Sequence, residues 1–279
     1  MRISRCSAHL PVLVALLLSA ASGVVASPFE ELELCVPAQA MGGAGVVLDG
    51  LEAVMFNPAA AATIDGPRVS AASRLPFTSF DFATHGLEGG TRLGRTALAL
   101  SVRYFGGDLY SEQMLSLTAA LQLTGDMAVG IQPVFCRAEI ADGISSYGSA
   151  SAVAWNLGAR VNIYGRWRMG FSMRNPFGAR IGSDGDERLQ RRMDVGVGYE
   201  PEAGMISLFG LSRDFRGLRL HVGQSLPLGP VVLRAGVHTD PVTISGGLGA
   251  EVSGVSLEYA IQSHPELPPS HQLGVSYGF

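Results

Sequence analysis

The stretch VAWNLGARVNI, residues 153–163, alternates between two kinds of side chain. Apolar residues occupy the odd positions, whereas Asn156, Gly158, Arg160 and Asn162 occupy even ones. A period of two residues indicates a β-strand whose two faces meet different surroundings. The run is also long enough for a tilted strand that crosses a lipid bilayer, which takes about 9–11 residues.

The same alternation recurs along the chain, in residues 115–123, 167–174, 218–223 and 255–261. No stretch of about 20 apolar residues follows the amino-terminal region, so a helical membrane anchor is not indicated there. We count about fourteen strands between Arg68 and Phe279, with twelve as an alternative. The expected fold class is all-β, a transmembrane antiparallel barrel over residues 67–279, and the even strand number permits closure.

The connections between these runs alternate in length. Short turns are expected near Gly125, Gly165, Gly229 and Gly254, and longer polar loops between them. The two longest loops are expected at Arg137–Ser151 and Asn175–Arg192. Short turns at one end and longer loops at the other are typical of outer-membrane barrels.

The first 26 residues have the order of a secretory signal peptide: Arg2 and Arg5, a short apolar core, and small residues ending at Ala26. Cleavage there would leave an exported chain, and the expected location is the outer membrane of a Gram-negative-type bacterium, with membrane lipid as a partner. The formal net charge of −4 does not indicate nucleic acid as a partner.

The last strand carries apolar residues at every second position: Leu273, Val275, Tyr277 and Phe279. We expect this strand to close the barrel against the first one, which would leave no free sheet edge. Its aromatic end also resembles the signal that the barrel-assembly machinery reads, so that machinery is an expected partner.

Residues 27–66 lack alternation and contain MGGAGVVLDGLEAVMFNPAA, residues 41–60. This segment resembles the amino-terminal segment of FadL-like and PorV/PorQ-like outer-membrane proteins. The resemblance implies a hatch inside or below the lumen that carries an Asn-Pro-Ala motif. The corresponding hatch residues here are Gly42, Gly43, Gly45, Phe56, Asn57, Pro58 and Ala59.

The resemblance implies a channel for hydrophobic or amphipathic small molecules. Two alternatives stay open: an accessory barrel of a protein secretion system, as in PorV-like proteins, and a structural barrel without an open path. The expected loop Asn175–Arg192 is rich in charged residues, which do not suit the apolar groove that the loops of FadL-type proteins form. The partner is therefore either a small hydrophobic molecule or a secretion-system component.

Strand parity places a set of charged and polar residues on the inward face, because a charge on the lipid side costs about 2–4 kcal/mol near the bilayer midplane. They have two possible roles: an internal ion-pair network, or an arginine-rich lining that favours anionic groups. The inward candidates are Arg103, Arg160, Arg168, Arg174, Asp194, Arg219, His221, Arg234 and Glu258.

Enzymatic chemistry is not expected. The six histidines are scattered without metal-ligand spacing, and neither a nucleophile elbow nor a phosphate-binding lysine motif occurs. We therefore expect no cofactor and no metal. After signal cleavage two cysteines remain, Cys35 in the hatch and Cys136 on an inward parity position. Because export exposes thiols to oxidation, a Cys35–Cys136 disulfide is one hypothesis, and two unrelated buried thiols are the other.

Overall fold

The computed structural model describes residues 28–30, 33–107, 109–141, 146–182, 187–202 and 205–279. Within them fourteen antiparallel strands form a closed barrel, and a short hairpin, β8–β9, lies in one loop. The predicted signal peptide lies outside the described residues. The strands are β1 Arg68–Leu75, β2 Thr84–Leu93, β3 Thr96–Gly106, β4 Tyr110–Gln122, β5 Met127–Ala141, β6 Ser146–Ile163, β7 Trp167–Arg174, β8 Arg180–Ile181, β9 Glu187–Arg188, β10 Arg192–Glu202, β11 Met205–Asp214, β12 Gly217–Leu228, β13 Val231–His238, β14 Thr243–Val252, β15 Val255–Gln262 and β16 Ser270–Gly278.

The prediction of an all-β antiparallel barrel is confirmed, with fourteen rather than twelve wall strands among the described residues. Closure is made between β1 and β16, with Val69 opposite Tyr277 and Ala71 opposite Val275. The last alternating run therefore closes the barrel against the first strand, as expected. Among the described residues, one α-helix, α1 (Val36–Ala40), accompanies the strands, with short 3-10 turns at Leu51–Ala53, Pro58–Thr63, Pro76–Thr78 and Phe80–Phe82.

The two faces of the wall differ as the alternation predicts. In β3, Ala97, Ala99 and Ser101 are buried, whereas Leu98 and Leu100 are exposed. Exposed apolar side chains continue around the barrel, for example Leu218, Val222 and Leu257. A contiguous apolar belt of this extent is not tolerated on a water-facing surface, so the outer face is suited to lipid.

The two ends of the barrel differ in their connections. Turns at one end, here called the turn end, include Gly94–Arg95 and Ser253–Gly254, and the carboxy-terminal end of β16 lies there. Aromatic side chains pair at this end, Trp167 with Tyr199 and Tyr277 with Phe279. Such residues favour the boundary between lipid and water. The opposite end, here called the loop end, carries the connections 76–83, 175–191 and 263–269.

The prediction of a long loop at Arg137–Ser151 is wrong. The segment Arg137–Ser151 is mostly strand, because β5 runs for 15 residues to Ala141 and β6 for 18 residues from Ser146. The polar stretch at residues 104–113 likewise belongs mainly to β3 and β4. Polar residues are compatible with strand where the hairpin extends beyond the apolar belt. Strand β2 begins only at Thr84, after the two 3-10 turns Pro76–Thr78 and Phe80–Phe82.

No described helix combines the length and the hydrophobicity needed to span a membrane.

Candidate functional site in the barrel lumen

Residues 33–66, here called the N-terminal segment, pack against inward-facing residues of the wall. Helix α1 contacts β13 to β16, and the turn Pro58–Thr63 contacts β2 to β6. Most of the segment is buried, including Met41, Leu51 and Val54. Contacts with both halves of a closed ring can be made only from inside it, so the segment lies within the lumen.

Inward-facing glycines of the wall make room for this segment. A Cβ on Gly130 would overlap the backbone of Pro58, and one on Gly170 would overlap the carbonyl of Val46. Gly223 and Gly236 lie in the same way against Met41. Local alternation assigns these glycines only to a small or polar face, because the residues that require them lie in a segment more than 70 positions away in the chain.

Asn57 is the central residue of the segment and is only 1% exposed. Its Oδ1 accepts a hydrogen bond of 3.0 Å from the amide of Ala59, which caps the turn that Pro58 begins. Its Nδ2 donates to the carbonyls of Val46 at 2.8 Å and Ala159 at 3.0 Å. One side chain thus joins the turn, a neighbouring loop and wall strand β6.

The glycines of the expected motif have two different physical roles. Gly42 and Gly43 adopt φ values of 68° and 80°, which only glycine adopts without strain. Gly45 does not, but a Cβ there would overlap the ring of Phe56. The structure therefore brings together all seven expected motif residues, Gly42, Gly43, Gly45, Phe56, Asn57, Pro58 and Ala59, in one buried unit.

The inward candidates are on the buried side of the wall, and the six arginines form ion pairs. Arg103 pairs with Glu88, Arg234 with Glu258, and Arg219 with Asp214 at 2.7 Å. These pairs join neighbouring parts of the wall. Glu88 and Asp214 were not among the predicted inward residues. The sequence alone does not show which acidic residues have an arginine partner on a neighbouring strand.

Other ion pairs join the wall to the N-terminal segment. Glu33 contacts Arg174 and lies 3.8 Å from Arg192, which itself pairs with Asp194 at 2.8 Å. Near the turn end, Asp49 contacts both Arg160 and Arg168, the latter at 2.5 Å. The internal network is thus present, and it fixes both ends of the segment.

His221 adds a neutral link. Its Nδ1 lies 2.7 Å from the carbonyl oxygen of Gly42, and its Nε2 lies 2.7 Å from the hydroxyl of Ser212. Because a carbonyl can only accept, Nδ1 must donate, and Nε2 is then free to accept from Ser212. His221 therefore holds the glycine bend against β12 without needing a positive charge.

A small cavity lies on the loop-end side of the N-terminal segment. Its volume is about 60 Å³, and its lining is mainly apolar, from Phe29, Met55, Met114, Val134 and Leu189. Asn156 and Arg174 supply polar groups at its margin. For comparison, a cavity of about 150 Å³ takes up benzene. A ligand of that size would require Met55 or Met114 to move, and methionine is flexible enough for that.

A second cavity, of about 230 Å³, lies on the turn-end side. One part of its lining is apolar, with Cys35, Met41 and Leu48, and another part is charged, with Arg168, Glu200 and Arg234. Phe56 packs against Cys35, Ala38 and Leu48, a cluster here called the septum. Cys35 and Leu48 also line the turn-end cavity, and Met55, the chain neighbour of Phe56, lines the loop-end one. The guanidinium of Arg174 lies 5.7 Å from the centre of the Phe56 ring.

Of the two hypotheses for the cysteines, the structure has the second: Cys35 and Cys136 are free, buried thiols, and no Cys35–Cys136 disulfide is formed. Cys35 packs in the septum, whereas Cys136 packs with Val134 and Ala154 on the wall. Burial raises the pKa of the Cys35 thiol above its ordinary value. Export alone does not join two thiols that the fold places in separate apolar clusters.

No protein-family model and no curated protein sequence matches this chain. Solved structures do. The toluene transporter TbuX of Ralstonia pickettii is 13% identical, with a TM-score of 0.67 over 89% of this chain and 99% of that one. The monoaromatic hydrocarbon channel CymD is 15% identical, with a TM-score of 0.69 over 90% and 99%.

A FadL homologue of Pseudomonas aeruginosa, 12% identical, has a TM-score of 0.62 over 88% of this chain and 98% of that one. This chain has the FadL-type fold. The similarity expected from residues 41–60 therefore extends to the barrel. These FadL-type neighbours are transport proteins rather than enzymes. Among the described residues, no group of three or more His, Cys, Asp or Glu side chains is placed to hold a metal ion.

Proposed function

We propose that this chain is an outer-membrane channel for hydrophobic or amphipathic small molecules. The observation that carries the proposal is the pair of cavities on opposite sides of the septum. An apolar cavity faces the loop end, and a larger, partly charged one faces the turn end. Phe56 packs against Cys35 and Leu48 of the turn-end cavity, and its ring lies 5.7 Å from Arg174 of the loop-end cavity, so we expect the loss of this ring to bring the two spaces closer to a connection.

The similar structures support this proposal, because TbuX is a toluene transporter and CymD a monoaromatic hydrocarbon channel. The lining of the loop-end cavity is suited to an apolar body. Arg174 and Asn156 at its margin are suited to a polar or anionic end of the same molecule. In the proposed orientation the turn end faces the periplasm, as short turns do in outer-membrane barrels.

The location is part of the proposal. A cleaved signal peptide ending near Ala26 would direct the chain across the inner membrane, and the barrel-assembly machinery would insert it. The apolar belt supports a membrane location, since it needs lipid as its solvent. Fractionation as a heat-modifiable protein of the outer membrane is the expected result, and a soluble periplasmic monomer would contradict it.

Transport is tested in liposomes that contain the purified barrel. Labelled toluene and a labelled fatty acid should enter these liposomes faster than protein-free ones. Phe56→Ala should raise the rate further, because it removes the ring of the septum. Phe209→Ala is the matched control, since Phe209 is 50% exposed on the lipid face.

Uptake equal to that of empty liposomes, in the wild type and in Phe56→Ala, would overturn the channel proposal. It would favour a structural barrel. Co-purification with a large secretion channel in that case would favour the accessory role instead.

A further inference from the structure

The loop-end cavity is lined by three sulfur-bearing side chains, Met55, Met114 and Cys136. They belong to the N-terminal segment, to β4 and to β5, so the fold brings them together from separate parts of the chain. The whole chain has only nine methionines and three cysteines among 279 residues. Three of them around one small cavity are therefore a local concentration of sulfur.

Met114 and Cys136 face each other across two neighbouring strands. They are direct partners in the antiparallel register of β4 and β5. Both pack in the same apolar cluster on the inward side of the wall, with Val134 and Ala154. The Cβ atoms of residues paired in this way lie about 4.5–5.5 Å apart. Their sulfur atoms can therefore reach one common point in the cavity.

Met55 brings a third sulfur atom from the N-terminal segment. Its Sδ lies 3.6 Å from the hydroxyl of Ser116 and 3.4 Å from the Nε2 of Gln132. Ser116 is the next inward residue after Met114 in β4. A thioether accepts hydrogen bonds only weakly, and methionine has three rotatable side-chain bonds. Met55 can therefore leave these contacts and turn toward Met114 without movement of the backbone.

The three side chains form a soft donor set. Thiolate and thioether ligands select Cu(I), whereas Mg²⁺ and Ca²⁺ take oxygen ligands. Zn²⁺ sites are built from thiolate, imidazole and carboxylate rather than from thioether. Among the described residues no three His, Cys, Asp or Glu side chains converge on a metal position, but the thioether of methionine is a ligand outside that set.

We propose that the loop-end cavity binds one Cu(I) ion, held by the Sγ atom of Cys136 and the Sδ atoms of Met55 and Met114. The cavity volume is about 60 Å³. Because about 10–15 Å³ is enough for one water molecule, a single ion fits while both methionines stay beside it. Benzene would instead require Met55 or Met114 to move away. The inference shares a cavity with the proposed function but does not rest on transport.

The charges around the cavity are compatible with a bound monovalent cation. Arg174 at the margin contacts Glu33, so its positive charge is compensated. Glu112, two residues from Met114 on the inward face of β4, adds a buried carboxylate. Binding would replace the S–H bond of Cys136 by a Cu–S bond and release the proton to water, and copper stays in the Cu(I) state. The thiolate then neutralises the charge of the ion, as burial in an apolar site requires.

Anaerobic titration of the detergent-purified protein with Cu(I), in competition with the coloured chelator bicinchoninate, tests the proposal. The wild type should retain one Cu(I) per chain. Cys136→Ser should abolish this retention, because a hydroxyl is a poor ligand for a soft ion. Met55→Leu and Met114→Leu nearly preserve side-chain volume. Each should lower the affinity at least about tenfold, since even changes behind the ligands weaken metal binding by about 10–100-fold.

Two matched controls remove sulfur from other places. Cys35→Ser removes the other buried thiol, and Met169→Leu removes a methionine that is 42% exposed on the lipid face. Both variants should keep the wild-type affinity for Cu(I). Heat modifiability of every variant reports folding independently of the metal.

A wild type that loses all its Cu(I) to the chelator would overturn the proposal, as would retention in Cys136→Ser equal to that of the wild type. Wild-type affinity in both Met55→Leu and Met114→Leu would also overturn it, because the thiol alone would then bind the ion. Cu(I) binding is measured in detergent, whereas toluene uptake by the metal-free protein tests the proposed function. A failure of one is therefore distinguishable from a failure of the other.

Discussion

The side-chain oxygen of Asn57 lies in the space that a side chain at Gly158 would occupy. A Cβ built on Gly158 overlaps this oxygen and also approaches the ring of Pro58 at 2.8 Å. The wall strand β6 and the motif of the N-terminal segment are therefore fitted to each other. A substitution in either residue should therefore displace the other, although they are about a hundred residues apart in the chain.

Gly158→Ala should destabilise the barrel by about 1–3 kcal/mol, the usual cost of overpacking a well-packed site. The added methyl group would displace Asn57 and so its hydrogen bonds to Val46 and Ala159. The measurement is the temperature at which the folded band is lost in unheated gel electrophoresis. Gly246→Ala, on the lipid face, should leave it unchanged. An equal decrease of this temperature in Gly158→Ala and Gly246→Ala would mean that the effect comes from strand propensity alone.

Asn57→Asp should loosen the N-terminal segment while it preserves the size of the side chain. The carboxylate keeps an oxygen for the amide of Ala59, but its second oxygen would face the carbonyls of Val46 and Ala159. Leaving such buried groups unsatisfied costs about 1–3 kcal/mol. The expected results are faster proteolysis of the segment and higher conductance in planar bilayers.

The control for that change is Asn162→Asp, on strand β6, which also holds the Ala159 carbonyl that Asn57 contacts. The Asn162 oxygen accepts a hydrogen bond from Arg160 at 3.2 Å, so a carboxylate there gains a favourable partner. Conductance that rises equally in both variants would show that added charge, rather than the lost donor, causes the effect.

The inward or outward direction of side chains was predictable from sequence because it depends only on local alternation. Arg160 and Arg219 lie on the inward face for that reason. The position of β2 was not predictable in the same way. Its sequence THGLEGGTRL holds three glycines, which are poor strand formers, and the strand forms because Gly86 and Gly90 lie against the N-terminal segment.

The strand register around Pro133 was also not predictable from local sequence. A proline in a strand can mark a bulge that shifts the register. Here the pairs Ser116–Val134 and Ala119–Ile131 preserve one register across the proline. Gln132 donates to Thr118 at 2.8 Å and accepts from Asn156 at 2.7 Å, so side-chain amides bridge the strands where backbone pairing lapses. Such compensation depends on residues from three strands, which local sequence does not bring together.

Thiol counting tests the free cysteines and the signal peptide together. Denatured, unreduced protein from the membrane should show two reactive thiols, Cys35 and Cys136, because the structure leaves both free. Native protein should react slowly, since the two residues are only 2% and 3% exposed. A count of zero would indicate a Cys35–Cys136 disulfide, contrary to the structure. A count of three would mean that Cys6 is retained in the mature chain.

Asp49 is the acidic residue that ties the turn-end part of the N-terminal segment to the wall. Its carboxylate contacts Arg160 of β6 and Arg168 of β7, and Arg168 also contacts Glu200 of β10. The Asp49 side chain is 36% exposed, whereas that of Arg160 is 8% exposed. Removing the carboxylate would thus leave a largely buried guanidinium with a weaker acceptor, Asn162.

Asp49→Asn should therefore release this end of the segment and increase the frequency of open events in planar bilayers. We expect a cost of about 1–2 kcal/mol, below the 3–5 kcal/mol of a fully buried pair because Asp49 is partly exposed to solvent. Glu251→Gln is the control, since it removes one negative charge from an exposed position of β14. Salt screens ion pairs, so high ionic strength should raise the frequency of open events in the wild type toward that of Asp49→Asn. The frequency in Asp49→Asn itself should change little, because its ion pairs are already lost. Equal open-event frequencies in Asp49→Asn, Glu251→Gln and the wild type would show that the ion pairs of Asp49 do not hold the segment in place.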